Sequence, residues 1–281
     1  MRILLLAGAF LLMLACGRTR VSQTNVAGPS GSLHVDDGGK PSKDPPVVFL
    51  HSFAGDSGQW KAQLAHLRAH RRALAMDLRA HGQSEAPRDG KHSVEAMVED
   101  LEAVVAARKL DRFVLVGHSM GGAVAVVYAG KHPDKVAGLV LVGTPGRAPA
   151  ELKSQVLQAL ETDRRDQVLD QYWDKLLTNA TPKTREIVEA GRKQMGNDRS
   201  VSFIEAIFDY DPVPSLRRYD GPVMAIVSDG DDANPAALHK TMPMERRPIE
   251  GTSHWVQLDR PDAFNKVLDD FLSGAGTRIG S

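Results

Sequence analysis

Five short runs of consecutive apolar residues punctuate the chain, at 47–50, 73–76, 113–116, 136–142 and 223–227. Each is continuous rather than alternating and too short for a buried helix, the pattern of strands covered on both faces. Between them, apolar positions recur at helical spacing over 60–67 and 94–107, and 123–129 is apolar nearly all round. Strands alternating with helices predict βαβ units and a mostly parallel central sheet flanked by helices. From Thr144 to Pro214 the pattern turns wholly helical and more charged, with helices predicted over 150–160, 165–177, 184–195 and 202–208 and with Pro182 and Pro212 as punctuation. A helical cap at 146–212 thus interrupts a core made of 32–145 and 213–281. A last strand closing near Pro248 and a helix over 261–272 complete the pattern.

The N-terminus follows another rule. Arg2 precedes an apolar stretch over 3–14, too short to span a bilayer and suited to the h-region of a signal peptide, here 1–16. Its end, Met13-Leu14-Ala15-Cys16-Gly17, resembles a bacterial lipobox. That resemblance implies lipidation of Cys16 and an exported protein anchored to a membrane of the bacterial cell envelope; the plainer reading is a secretory signal releasing a periplasmic or secreted protein. Residues 17–31, polar and rich in Gly, Pro and Ser, read as a flexible tether. Cys16 is the single cysteine, so no disulfide can form within the chain. With 35 basic and 35 acidic residues and no basic block, nothing points to nucleic acid.

Candidate chemistry lies just after the strand runs, where open parallel sheets bind ligands. The run at 113–116 breaks into Gly117-His118-Ser119-Met120-Gly121, a G-x-S-x-G turn leading into a helix. A serine there is a weak nucleophile unless a histidine takes its proton and a carboxylate orients that histidine. After the strand at 223–227 comes Ser228-Asp229-Gly230-Asp231-Asp232-Ala233-Asn234-Pro235, and later Gly251-Thr252-Ser253-His254-Trp255. The first strand run is followed by His51-Ser52-Phe53, and the second by Asp77-Leu78-Arg79-Ala80-His81-Gly82-Gln83-Ser84.

Together these segments resemble the α/β-hydrolase family, in its serine esterase, enol-lactonase and haloperoxidase-like branch. The resemblance spans 32–272 apart from the cap. It implies that fold, with the small helical cap inserted after the sixth strand, and a triad of Ser119, Asp231 and His254. Asp231 is selected because the family's acid stands four residues before a proline, here Pro235; Asp229 is left to brace the turn and Asp232 to the surface. Backbone N–H groups of Phe53 and Met120 are the implied oxyanion donors. Ser52 stands where the family's loop has glycine, and Ala80 departs in the same way in the later loop.

Trp173, Phe203 and Trp255 are candidates for pocket lining, with mutual packing as the plainer role. His51 reads as a loop brace and His118 as packing. His66 and His70, four apart, lack the glutamate of a zincin motif and read as a solvated helix face. No cofactor and no metal is implied; the expected partner is a small acyl substrate. The resemblance implies a serine hydrolase acting on an ester or lactone. C–C bond hydrolysis and cofactor-free perhydrolysis use the same triad, and a small-ligand receptor that binds without turnover is the reading from outside enzymology. Epoxide hydrolases of this family carry aspartate in place of the serine.

Overall fold

In a computed structural model, residues 22–277 are described. Signal-peptide and lipidation expectations, Cys16 included, lie outside them. Eight strands form one sheet: β1 (Ser22–Ala27), β2 (Ser32–Gly39), β3 (Val47–Leu50), β4 (Arg72–Met76), β5 (Phe113–His118), β6 (Val136–Val142), β7 (Val223–Val227) and β8 (Glu245–Pro248). Their order is β1-β2-β4-β3-β5-β6-β7-β8. The pairs β1/β2 and β2/β4 are antiparallel, and all pairs from β4/β3 to β7/β8 are parallel. Every residue of β3, β5 and β6 is buried.

The core helices are α1 (Lys61–Arg68), α2 (Val94–Ala107) and α3 (Met120–Lys131). After β6 the cap contributes α4 (Ala150–Leu160), α5 (Arg165–Leu176), α6 (Pro182–Met195) and α7 (Asn197–Asp209). The return to the core runs through α8 (Val213–Leu216), α9 (Asp229–Ala233), α10 (Leu238–Thr241), α11 (Val256–Asp259) and α12 (Pro261–Thr277). Strand pleating divides the core by parity. Val48 and Leu50 pack with Val98, Leu101 and Val124 on one face, whereas Val47 and Phe49 pack with Trp60, Leu64, Phe264 and Leu268 on the other. Among the described residues no helix is long and apolar enough to cross a membrane.

Residues 22–31 are not a tether. Ser22–Ala27 pairs residue by residue with β2, from Ser22 opposite Asp37 to Ala27 opposite Ser32, and Gly28 N donates to Gly31 O at 2.8 Å across the turn. Polarity misled because β1 is an edge strand with only Val26 buried, so main-chain pairing and not apolar burial holds it. β2 is hidden in the sequence for a related reason: Asp36 and Asp37 interrupt it, and Arg68 and Arg72 neutralise them. In the cap, α7 starts five residues earlier than expected. Pro182 does not punctuate a loop but is the first residue of α6, where its missing N–H costs nothing, after the Thr181 hydroxyl that accepts from Thr184 N.

The loop after β4 is held from beneath by a charged pair. The Arg79 guanidinium grips Asp100 of α2 with both arms, Nε to Oδ2 at 2.6 Å and Nη2 to Oδ1 at 2.8 Å, and donates to the Ala96 and Lys91 carbonyls. Both side chains are 2% exposed. Removing one partner strands a buried charge, so Asp100→Ala is expected to cost about 3–5 kcal/mol. Urea unfolding monitored by tryptophan fluorescence checks this; a loss below about 1 kcal/mol refutes it.

Candidate active site

β5 ends at His118 and α3 begins at Met120, so Ser119 alone makes the turn from strand to helix. Its backbone sits at φ 52°, ψ −113°, a strained conformation for a residue with a side chain. Glycines on both sides make the turn possible. A Cβ on Gly117 would strike the Gly121 carbonyl, and one on Gly121 would strike the Leu50 and His51 carbonyls at the end of β3. Ser119 N donates to Val142 O at 2.8 Å, tying the turn to the end of β6. The serine is half-buried, and its hydroxyl makes no hydrogen bond among the described residues.

Gly143, the residue after Val142, links the serine to the other candidate groups. It has φ +49°, and the space a Cβ would fill is taken by His254 Cε1 at 2.7 Å, His254 Nδ1 at 2.9 Å and Asp231 Oδ2 at 2.9 Å. The Ser119 turn is therefore bonded to one residue while the next supports the Asp231–His254 pair. Asp231 is placed by the start of α9. Ser228 caps that helix, its hydroxyl accepting from Asp231 N at 3.1 Å and donating to Asp231 Oδ2 at 2.8 Å. Oδ1 is left to accept from His254 Nδ1 at 2.6 Å. This bond puts the imidazole proton on Nδ1 and leaves Nε2 as an acceptor. Burial pushes the Asp231 carboxyl up, but its contact with His254 and the Ser228 hydroxyl outweigh that and hold it below its ordinary value.

The neighbouring carboxylates have other partners. Asp229 Oδ2 accepts from Gly251 N at 2.9 Å, bracing the loop that carries His254. Asp232, expected as a plain surface group, gathers His239 at 3.1 Å, Lys240 at 3.2 Å and Arg246 at 2.8 Å, joining α9 to α10 and β8.

Phe53 follows β3 in a turn that takes Ala54 to φ 54°, and Met120 opens α3. Among the described residues neither amide has an acceptor in the protein. His51 braces this loop: its Nδ1–H donates to Ser52 O at 2.7 Å and its Nε2 accepts from Leu78 N at 2.9 Å. Burial lowers its pKa, which suits the neutral ring these bonds need. His118 is fully buried, accepts at Nδ1 from the Gln257 amide at 3.1 Å and lies with its ring centre 4.7 Å from that of His254. Burial, with His254 beside it, holds its pKa well below normal. His66 pairs with Asp269 of α12 at 2.8 Å and His70 lies against its ring, with no metal-like cluster among the described residues.

Trp173 of α5, Phe203 of α7 and Trp255 are 2%, 0% and 1% exposed. They pack the junction of cap and core instead of facing solvent. Trp173 stacks on Phe53 at 5.5 Å and on Trp255 at 6.0 Å, and Phe203 meets His81 and His92 edge-on at 4.7 Å. The cap also bonds the histidine loop directly. His254 N donates to Leu176 O at 3.1 Å, and Asp259 accepts from Thr181 N at 2.9 Å and from Ser253 N at 2.8 Å. Sequence reasoning missed Gly143, Ser228 and these cap bonds. Only the first two leave a signal: a glycine directly after an apolar strand, and an S-x-x-D cap.

Residues 45–178 match the family described as the alpha/beta hydrolase fold. Epoxide hydrolase 3 of Xenopus tropicalis is 27% identical over 264 residues, covering 82% of this chain and 72% of the relative. Among solved structures, Est816, titled an N-acyl homoserine lactone degrading enzyme, is 25% identical with a TM-score of 0.73, over 88% of this chain and all of its own. The enol-lactonase from Burkholderia xenovorans LB400 is 26% identical with a TM-score of 0.72, over 89% of this chain and all of its own. Relatives and neighbours include hydrolases, esterases and lipases. The fold is the α/β-hydrolase fold, its eight-stranded, mostly parallel sheet flanked by helices and its helical cap inserted after β6.

Gly143→Ala tests how closely the pair is held. A Cβ there meets both His254 and Asp231 and strains a positive φ, so the pair must move apart. The expected outcome is a loss of about a hundredfold in the rate at which a fluorophosphonate phosphonylates Ser119 with loss of fluoride, since misplacement of about 1 Å costs that much. Labelling at the wild-type rate would show that the pair is placed by something else.

Proposed function

We propose that this protein is a serine hydrolase that cleaves a small ester or lactone through an acyl-enzyme intermediate. The observation that carries the reading is the partly buried Asp231–His254 bond at 2.6 Å, seated on the residue next to the one that anchors the Ser119 turn. His254 Nε2 takes the Ser119 proton as the oxygen attacks the carbonyl carbon. Phe53 and Met120 N–H groups receive the oxyanion. His254 then gives the proton to the leaving alkoxide, which in a lactone stays attached to the acyl group. A water molecule, deprotonated by the same nitrogen, releases the acid and restores the serine. Asp231, held ionised, stabilises the imidazolium formed at each step. The lactone-degrading neighbours support this substrate class. An epoxide hydrolase of this fold needs a carboxylate at the turn, and residue 119 is a serine.

Ser119→Ala is expected to fold as the wild type does and to lose at least about a thousandfold in p-nitrophenyl acetate turnover, together with fluorophosphonate labelling. Asp231→Asn keeps the shape but gives His254 Nδ1 the wrong partner, with a loss of up to roughly ten-thousandfold, whereas Asp232→Asn stays within about tenfold. Persistent labelling of Ser119→Ala, or a crippled Asp232→Asn beside an active Asp231→Asn, sinks the assignment.

We further propose that Cys16 is lipidated and tethers the enzyme to a membrane of the cell envelope, on the strength of the apolar run before it. Detergent-phase partitioning of the wild type and its loss in Cys16→Ser are the expected results. A mass spectrum with an unmodified N-terminus beyond Cys16 refutes the anchor.

A further inference from the structure

Ser52 occupies a position where the resembled family carries glycine, and its side chain is fully committed. It is 2% exposed. Its hydroxyl accepts from Trp255 Nε1 at 3.1 Å and donates to Gln59 Oε1 at 3.3 Å. Ser52 and Trp255 are 203 positions apart and lie beside different parts of the site: Ser52 precedes Phe53, and Trp255 follows His254. The Ser52 carbonyl is equally engaged, accepting from His51 Nδ1 at 2.7 Å and from Gly55 N at 3.0 Å.

That carbonyl belongs to the same planar peptide unit as the Phe53 N–H. Two donors on the oxygen therefore fix the direction in which the Phe53 N–H points. They fix it only within the loop after β3, because His51 and Gly55 belong to that loop. What relates the loop to the catalytic base is the Ser52 hydroxyl on the Trp255 indole. Trp255 in turn lies edge-on to His254, ring centres 5.3 Å apart, and is stacked beneath Trp173 of the cap, which also stacks on Phe53. The contacts close a ring: Ser52, Trp255, Trp173, Phe53.

We propose that Ser52 is a positioning residue that sets the Phe53 oxyanion donor at a fixed place relative to His254 through the Trp255 indole. The proposal rests on the serine-hydrolase reading. An oxyanion donor counts only at the place where charge develops, so a small shift of the loop lowers the rate of acylation more than it weakens substrate binding. Glycine at this position leaves the indole N–H of a buried tryptophan without this acceptor.

The test is a double-mutant cycle on p-nitrophenyl acetate, with active sites counted by fluorophosphonate and all rates taken well below each variant's Tm. Ser52→Ala and Trp255→Phe are each expected to lower kcat about tenfold with KM within about twofold, since both displace the donor without touching substrate. The double variant should fall no more than about twofold below the weaker single, because one bond is lost in all three. Singles that keep kcat within twofold, losses that multiply, or a rise in KM in place of the fall in kcat overturn the proposal. Should Ser52→Ala fail to fold, Trp255→Phe reads the same bond from its other end, and a kcat near wild type is again fatal. A wild type that fluorophosphonate does not label marks failure of the serine-hydrolase reading instead. The bond is then read by NMR from the Trp255 indole N–H, slow to exchange in wild type and fast in Ser52→Ala; equal exchange in the two rejects the bond itself.

Discussion

The single-residue turn at Ser119 is the constraint on which the rest of the site depends. A strand that becomes a helix within one residue must bring α3 hard against the sheet, and side chains at the crossing forbid it. Gly117 and Gly121 remove them on the near side, and Gly122 leaves room for the Thr144 side chain on the far side. Strain at φ 52° is then balanced by burial: Ala123, Val124, Ala125 and Val126 of α3 are each 0% exposed. Without that packing the serine would relax toward an ordinary helix N-cap and its hydroxyl would turn back to the backbone.

Electrostatics builds on this frame. A carboxylate as enclosed as Asp231 is costly unless its oxygens are occupied, and here they are divided between two tasks. Oδ2 takes the Ser228 hydroxyl and amide, so the acid cannot swing; Oδ1 takes His254, so the imidazole cannot flip. The depressed pKa of Asp231 makes folding sensitive to acid in a stated direction. A folded-state pKa below the unfolded one contributes stability above the unfolded value, near 4, and that contribution is lost as pH falls through the lower folded value.

Legibility in the sequence followed burial. Strands covered on both faces, β3 to β7, were visible as unbroken apolar runs. Two strands went unseen: β1 because main-chain pairing at an edge holds it, and β2 because Asp36 and Asp37, paired with arginines 32 and 35 positions away, break the apolar run that its buried Leu33 and Val35 begin. Ser119, Asp231 and His254 stood out in local motifs because each follows a strand, and the structure pairs Asp231 with His254 beside the anchor of the Ser119 turn. Gly143 was not singled out, since its work is to have no side chain where two distant residues meet. Ser52 was seen only as a departure from glycine, and its partner could not be read from either segment alone.

The loop bearing His254 shows why the cap belongs to the site and not merely above it. β8, which should anchor that loop, is four residues long and exposed throughout. Such a strand contributes little burial, so the loop's position must come from elsewhere. It comes from several directions: Asp229, which accepts from Gly251 N; Asp259 beneath, bonded to Ser253 and to Thr181 of the cap; Leu176 of the cap, which accepts from His254 N; and Ser52 through Trp255. Hydrogen bonds of this kind are each worth about 1 kcal/mol, and stacking of Trp173 on Trp255 adds about as much again. None alone holds the histidine. Their sum does, and the bonds from Leu176 and Thr181 depend on the cap staying in place, so the cap also sets where the His254 imidazole stands.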